Sequence, residues 1–411
     1  MKLCWMLILA GLTKFAVAQQ RGLEFYLGAA RQHSPLLHDY QNQIRSNQVD
    51  SSILLAIYRT QVNGISNNSY APSANGYGYD YAITNGGQFS ALVQASKVFV
   101  SRKNLANQIN AIHLQSESTV ATSSIAEKDL NKTVTAQYIA AYGDLLNLNF
   151  TKEILSLLNR QQRILKDLTE NNIYKQADFL TFYVSLQQQE LAYRQLDILF
   201  KNDYAMLNYL CGIVDTGAVN LPDPDLRMKS FPEIYKTPFY RQFVVDSLKL
   251  INQRDMIGFS YKPKINGFAD AGFMSSFAYQ GYKNFGASIG LNLSLPIYDG
   301  KQRLLKSRKL DIDENTRMNY RDFFLKQYDQ QIAQLLQQLK ETESLIDEIN
   351  SEIKYSNTLI DVNEKLLEKG EVRITDFIIA INTYLNARHL LNLNYINRLQ
   401  IINQINYWQS I

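Results

Sequence analysis

The chain has 411 residues, with 42 Lys and Arg against 38 Asp and Glu, so its formal net charge is only +4. This near-neutral balance, without a basic block, gives no footprint for nucleic-acid binding. A hydrophobic content of 46% excludes a disordered chain. No proline lies between Pro72 and Pro222, and none follows Pro296. These long stretches exclude a βαβ enzyme, which needs a turn about every 10–15 residues.

Residues 1–18 are predicted to be a secretory signal peptide. They contain the basic Lys2, the apolar segment Leu3–Leu12 and the small-residue cleavage site Ala16-Val17-Ala18. The mature chain then keeps one cysteine, Cys211, which excludes an intramolecular disulfide. No later segment offers the roughly 18 uncharged apolar residues that a transmembrane helix needs.

The chain contains an internal repeat of about 200 residues. Three matches define it: Ser34-Pro35 with Thr237-Pro238, Val62-Asn63-Gly64 with Ile265-Asn266-Gly267, and Asn172…Asp178 with Gly370…Asp376. Their offsets are 203, 203 and 198 residues. We therefore expect two copies of one unit, 19–220 and 221–411, joined within a stretch that holds four of the eight prolines.

Each copy is predicted to contain a short helix, a β-hairpin, a long helix and a helix that runs back. The hairpins are expected at about 61–98 and 263–296, the long helices at about 102–168 and 302–368, and the return helices at about 177–212 and 376–409. At about 1.5 Å per residue, each long helix is roughly 100 Å long. No globular core accommodates two such rods, so we expect an elongated oligomer.

The long helices carry coiled-coil spacing. From Leu335 onward, apolar positions recur in alternating steps of three and four residues, which is the pattern of a left-handed supercoil. Thr342, Ser356 and Asn363 interrupt this row. Their polarity favours walls around water over a dry two-stranded zipper.

The second hairpin ends in a strictly alternating strand. Ile289, Leu291, Leu293 and Leu295 form its apolar face and are the predicted lipid-facing residues of a barrel. A strand packed on a soluble core would show the same alternation. In the first hairpin, Asn85-Gly86 predicts a tight turn, and Tyr77, Tyr79 and Tyr81 before it are typical of an aromatic girdle.

Four strands per chain cannot close a barrel, and an open sheet edge cannot face lipid. Closure needs at least about eight strands, so the strands must be pooled between chains. Two chains would leave an interior filled by side chains, whereas a conduit favours three or more.

At this point the chain resembles the TolC-like outer-membrane efflux proteins. The most specific match is the strand-to-helix junction Leu293-Ser294-Leu295-Pro296-Ile297-Tyr298-Asp299-Gly300, followed by Arg303. The breaks Asn172…Asp178 and Gly370…Asp376 match the family's periplasmic helical turns. The resemblance implies a mainly α fold with a small β part: long antiparallel coiled-coil helices in two tandem repeats, and two β-hairpins that contribute to an oligomeric barrel.

The same resemblance implies function and partners. It implies a homotrimer in the outer membrane of a Gram-negative bacterium, with a helical tunnel that projects into the periplasm. Such a channel docks onto a periplasmic adaptor (a membrane fusion protein) and an inner-membrane pump, in tripartite efflux or type I secretion. The alternative is a periplasmic coiled-coil scaffold or adhesin without a pore, which would not need the alternating strand.

No catalytic, cofactor-binding or metal-binding constellation is visible, so we do not expect an enzyme. The four histidines, His33, His38, His113 and His389, are scattered, and His33 and His38 lack a nearby carboxylate pair at metal-ligand spacing. Nucleotide-binding and hydrolase motifs are absent.

The best candidate residues are Asp178 and Asp376, each of which follows a helix break and precedes an apolar helical run. They could cap the helices, or a symmetric trimer could gather them into an acidic gate that attracts cations. By resemblance, Arg373 belongs to this gate, although the family's arginine position falls on Val372. A further aspartate of the family is replaced by Ile379.

The breaks themselves are the expected docking tips for the adaptor. The candidate residues there are Asn172, Lys175, Gly370 and Glu371. Asn172 and Gly370 occupy equivalent positions, and both tolerate the left-handed backbone conformation. Gly143, alone within a long stretch without glycine, receives no predicted role.

Overall fold

The computed structural model describes residues 21–72, 74–80, 87–215, 217, 220–228, 233–276 and 283–409. The predicted signal peptide 1–18 lies outside these residues, as do Tyr81 and the predicted turn at Asn85-Gly86.

The chain is mainly helical and carries one small antiparallel sheet, which confirms the predicted fold class. Its elements are α1 Leu23–His33, α2 Pro35–Ile57, β1 Gln61–Tyr70, β2 Gly87–Phe99, α3 Arg102–Glu170, α4 Gln176–Leu210, α5 Pro238–Ser260, β3 Lys264–Ser276, β4 Phe285–Ser294, α6 Gln302–Glu368 and α7 Ile374–Tyr407. A single 3-10 turn, Ile234–Lys236, precedes α5. Helix α1 is not among the elements predicted from the sequence.

Hydroxyl side chains begin the helices that flank the sheet. Ser34 Oγ accepts the Leu37 N–H at 3.4 Å to cap α2, and Thr237 Oγ1 accepts the Tyr240 N–H at 3.4 Å to cap α5. In both helices proline occupies the first turn, where its missing N–H costs no hydrogen bond. The two helices are each 23 residues long and lead directly into β1 and β3.

The long helices pair with their return helices, α3 with α4 and α6 with α7. Toward the helical breaks, all four contribute to one apolar cluster: Phe150, Ile154, Leu158, Leu165, Phe182, Leu186, Ile360, Leu367, Ile374, Phe377, Ala380 and Ile381. At its centre the rings of Phe182 and Phe377 are stacked, with centroids 6.5 Å apart. The two helical hairpins of one chain are therefore packed together along their distal halves.

In α6 a row of positions seven residues apart is buried: Tyr328, Leu335, Thr342, Ile349, Ser356 and Asn363. The polar members Thr342, Ser356 and Asn363 are buried in this row of the single chain, as the apolar members are. The Ser356 hydroxyl donates to the Glu352 carbonyl at 2.8 Å, and the Asn363 amide donates to the Leu359 carbonyl at 2.9 Å. Their own helix thus satisfies these groups.

A second cluster lies midway along the rods, where α1 packs on α3 and α4. Here Tyr142 and Tyr395 donate hydrogen bonds to Asp223 Oδ2 at 3.2 and 2.6 Å, which hold the linker between the repeats against α3 and α7.

Gly143 has a role in this region. A Cβ at that position would lie 2.8 Å from Ile396 Cγ1, so glycine permits the close approach of α3 and α7.

The strands form one sheet in the order β1-β2-β3-β4, with every neighbouring pair antiparallel. The central pairing, from Gln88↔Ser276 to Phe99↔Ile265, joins the hairpins of the two repeats. β1 and β4 are the edge strands, and the described part of the chain places no further strand beside them. In that same part, none of the helices carries an apolar stretch that could span a membrane.

Two carboxylates meet where α3 packs on α4. Burial, together with a hydrogen bond to Asp203 and the charge of that residue, raises the pKa of Asp144 to about 7. Gln137 Nε2 donates to Asp203 Oδ1 at 3.3 Å and holds this second carboxylate in place. The folded state therefore retains a proton that the unfolded chain, with an ordinary aspartate pKa of about 3.9, has lost.

This pair predicts a loss of stability with rising pH. Because the folded pKa of Asp144 is raised, its contribution is greatest below about pH 4 and declines until about pH 7. We expect Asp144→Asn to abolish this decline, so that its stability advantage over the wild type grows between pH 4 and pH 7. Thermal unfolding across this range measures it, with the exposed Asp167→Asn as control. Parallel profiles for Asp144→Asn and the wild type would contradict the prediction.

Candidate functional site

The first helical break, called the first tip (residues 171–175), closes α3 with a Schellman motif. Asn172 has φ +59°. Its N–H donates to the Thr169 carbonyl at 3.0 Å, and the Ile173 N–H donates to the Leu168 carbonyl at 2.9 Å. These two bonds supply donors to carbonyls in the last turn of α3, and the left-handed backbone of Asn172 turns the chain toward α4.

The second tip (residues 369–373) repeats this geometry at the end of α6. Gly370 has φ +74°. Its N–H donates to the Leu367 carbonyl at 3.0 Å, and the Glu371 N–H donates to the Leu366 carbonyl at 2.9 Å. Glycine is required here for space as well, because a Cβ would lie 2.7 Å from Ile173 Cγ2 of the first tip. The two tips are therefore in direct contact.

Tyr174 links the tips by a hydrogen bond, a role that sequence reasoning missed. Its hydroxyl donates to the Val372 carbonyl at 2.8 Å and lies 3.3 Å from the Leu367 carbonyl. Burial raises the pKa of this phenol, so the hydroxyl keeps its proton and remains a donor. The only signal in the sequence was an aromatic residue inside a polar break.

The predicted gate residues occupy the first turns of the return helices. Lys175 and Arg373 are the N-cap residues of α4 and α7, and each aspartate is the third residue of its helix. The carboxylate of Asp178 accepts the Lys175 backbone N–H at 3.3 Å. That of Asp376 accepts two bonds from the Arg373 guanidinium, at 3.0 and 3.3 Å.

These contacts are the ones expected of residues that stabilise helix N-termini. The Arg373 side chain remains 82% exposed and that of Asp376 is 40% exposed, so their charges still face solvent. Ile379, which replaces a family aspartate, is 61% exposed on the next turn. The acidic gate stays a prediction. The exposed positions of Arg373 and Asp376 are compatible with it.

The sheet has one apolar face. Its members alternate along β2, β3 and β4, and β1 contributes Val62. They include Val62, Ala91, Val93, Ala95, Ile265, Ala269, Ala271, Ile289, Leu291 and Leu293. Three residues of the predicted lipid face, Ile289, Leu291 and Leu293, are 86%, 74% and 70% exposed in the single chain. The fourth, Leu295, directly follows the end of β4. Contact of these residues with lipid stays a prediction.

The opposite face is largely polar, and its central row contains a carboxylate. The row consists of Asn63, Gln94, Asp270 and Ser288. The Ser288 hydroxyl donates to Asp270 Oδ1 at 2.8 Å across β3 and β4. Sequence reasoning missed Asp270, although its even numbering places it on the face opposite Ile265 and Ala269.

The remaining candidate groups have structural surroundings. His33 Nδ1 lies 2.9 Å from the Cys211 carbonyl, and His38 Nε2 lies 2.9 Å from the Gln32 carbonyl. Burial raises the pKa of the Cys211 thiol to about 11, which keeps it protonated and unreactive. Among the described residues, no three His, Cys, Asp or Glu side chains are grouped to hold a metal ion.

Solved structures of outer-membrane channels share this fold. CusC superposes with a TM-score of 0.76 at 13% identity, over 95% of this chain and 92% of its own. The outer-membrane protein VceC of Vibrio cholerae gives 0.73 at 12% identity, over 94% and 96%. The open-state outer-membrane channel MtrE of Neisseria gonorrhoeae gives 0.71 at 13% identity, over 94% and 88%.

These similarities confirm the TolC-like fold that the sequence motifs imply, along nearly the whole chain. At such low identity they establish the fold and not the cargo or the partners. No family model matches the sequence, and a search of curated proteins gives no match.

Removal of the hydroxyl that links the tips should loosen the second tip. In Tyr174→Phe the ring is retained and one hydrogen bond is lost, worth about 0.5–1.5 kcal/mol. We expect the amides of Gly370 and Glu371 to exchange with deuterium about two- to tenfold faster. Tyr355→Phe, at an exposed tyrosine of α6, is the matched control. Equal exchange in both variants would show that Tyr174 does not hold the tips together.

Proposed function

We propose that the protein is the outer-membrane channel of a tripartite efflux or type I secretion system. In this role it is a passive conduit, not an enzyme, for solutes that cross the periplasm and the outer membrane. The observation that carries the proposal is the sheet: one exposed apolar face, one polar face and two edge strands, joined to rods of about 100 Å.

The edge strands support assembly into a closed barrel. β1 and β4 are each ten residues long, which fits the span of about 9–11 residues that a transmembrane strand needs. They run antiparallel to each other, so β4 of one chain can pair with β1 of the next in the same sense as the existing pairs. Three chains would then close a barrel of twelve strands, with a helical tunnel below it.

The barrel assigns roles to the two faces of the sheet. The apolar face, with Ile289, Leu291 and Leu293, would contact lipid, and the polar face would line the lumen. Asp270 then becomes a ring of carboxylates inside the barrel. The tips lie at the far end of the rods, in the periplasm, where exposed Asn172, Lys175, Gly370 and Glu371 would meet the adaptor that connects the channel to an inner-membrane pump.

Channel activity is tested by reconstitution in planar bilayers. We expect the purified wild type to give cation-selective conductance, because the lumen ring of Asp270 attracts cations. Asp270→Asn should lower the cation-to-anion permeability ratio severalfold while conductance persists. Asp255→Asn on α5 is the control. A folded oligomer without any conductance would overturn the proposed function, whereas unchanged selectivity would remove only the role of Asp270.

The acidic gate is tested at the tip with a pair of variants. Asp376→Asn removes the carboxylate, and Arg373→Gln removes its bound cation while the carboxylate stays. If a ring of Asp376 residues guards the tunnel mouth, the first variant lowers cation selectivity and the second raises it. Single-channel reversal potentials distinguish them. The same small change in both variants would indicate that Asp376 serves only to stabilise the start of α7.

A further inference from the structure

Basic residues gather at the end of the sheet where strands pass into helices. We call this set the basic belt: Arg59, Lys97, Arg102, Lys103, Lys262, Lys301 and Arg303. The segments that contain it, 58–63, 96–104, 260–266 and 293–304, include a single carboxylate, Asp299. The chain as a whole is almost neutral, so this concentration of one sign is local.

The strand register brings these segments to the same level. Gln61 pairs with Ser96, Phe99 with Ile265 and Lys264 with Ser294, so β1 and β3 begin where β2 and β4 end. The helices α3 and α6 begin only a few residues later. Residues that are distant in sequence therefore form one band around the base of the sheet.

The charges of the basic belt are not neutralised by the chain itself. All seven side chains are exposed, and none forms an ion pair within the described residues. The single carboxylate of the band, Asp299, accepts the Arg303 backbone N–H at 2.7 Å and so completes the start of α6.

Aromatic rings accompany the cations. Lys97 Nζ lies 5.9 Å from the ring centre of Phe99, Lys262 Nζ lies 4.5 Å from that of Phe259, and Arg303 Cζ lies 5.6 Å from that of Tyr261. Lysine and arginine with aromatic neighbours are typical of the boundary between a membrane and water, where the stems contact apolar material and the charged ends reach the headgroups.

The band also borders the apolar face directly. Lys97 itself lies on that face, two residues from Ala95 and Phe99, and Phe99 is 52% exposed. Beyond the end of β4, Ile297 and Tyr298 are 93% and 82% exposed. A hydrocarbon layer against the apolar face would therefore place its headgroups at the level of the cations.

The opposite end of the sheet lacks this charge. In the described residues that extend beyond the strands there, 71–72, 74–80 and 283–284, the only charged side chains are Asp80 and Lys283, which balance. The basic belt is thus a property of one rim, not of the sheet as a whole. Its position marks the rim from which the helical rods extend.

We propose that the basic belt binds the phosphate groups of anionic phospholipids in the leaflet on the helical side of the membrane. The proposal rests on the proposed barrel and adds to it a lipid preference at one rim. Exposed cations attract an anionic surface within a Debye length, so the preference should weaken as salt increases. Bound headgroups would also fix the depth at which the barrel sits.

The test measures the relative association of lipids with the full-length protein in vesicles of phosphatidylcholine and phosphatidylglycerol. Electron spin resonance of spin-labelled forms of each lipid gives the fraction in contact with the protein. We expect phosphatidylglycerol to be favoured severalfold at low salt. The triple variant Lys97→Gln, Lys103→Gln, Lys262→Gln should bring the ratio close to one, and about 1 M salt should do the same for the wild type.

Two controls separate charge from structure. The variant Lys97→Arg, Lys103→Arg, Lys262→Arg keeps the charges and should keep the preference. The variant Lys152→Gln, Lys340→Gln, Lys354→Gln removes three exposed lysines from the rods and should also keep it. Equal association of both lipids with an incorporated, conducting wild type would overturn the lipid-binding role of the basic belt and leave the proposed barrel intact. Failure of the wild type to incorporate into any vesicle would overturn the barrel and the belt together.

Discussion

The backbone hydrogen-bonding groups on the two edges of the sheet are the constraint on which the rest of the structure depends. A four-stranded antiparallel sheet leaves a row of N–H and C=O groups on β1 and on β4. In the proposed barrel the apolar face would contact lipid, where each unpaired backbone group costs several kcal/mol. Pairing between copies would satisfy both rows at once. The need for an oligomer in this proposal thus comes from the sheet, and the helices that continue from its strands would be held in the same ring.

The helical part meets a different requirement, which is to keep two hairpins of great length in register. Two clusters do this, one toward the tips around Phe182 and Phe377 and one midway around α1. Within the midway cluster, Gly143 lets α3 approach α7 closely, so the hairpins of the two repeats share one packing surface. A larger residue at that point would push Ile396 away and part the rods where the linker crosses them.

The features predicted from the sequence are those that a short stretch of chain decides. Long stretches without proline or glycine, with apolar positions in alternating steps of three and four residues, predict the long helices. Asn172 and Gly370, which tolerate the left-handed conformation, predict the two tips. Both kinds of prediction work because helix and turn formation depend on near neighbours in the sequence. Contacts between distant segments could not be predicted in this way. The Tyr174–Val372 bond, the pairing of β2 with β3 and the burial of Thr342 all depend on how the repeats pack. Asp270 is intermediate, since its face follows from the alternation once the strand is known.

The distribution of interactions along the rods also decides which part is displaced most easily. Beyond the last packed rings, one phenolic hydrogen bond, worth about 0.5–1.5 kcal/mol, joins the two tips. The exposed Arg373–Asp376 pair lies within the second tip and the start of α7, so it does not join the tips. The cluster behind them buries Leu165, Phe182, Leu367 and Phe377 almost completely, and separating such side chains costs about 1.5–3 kcal/mol each. Displacement of the tips is therefore inexpensive, whereas separation of the hairpins above them is not. A partner that binds the exposed tip residues needs only a few kcal/mol of differential affinity to move the end of the rod, while the wall behind it stays intact.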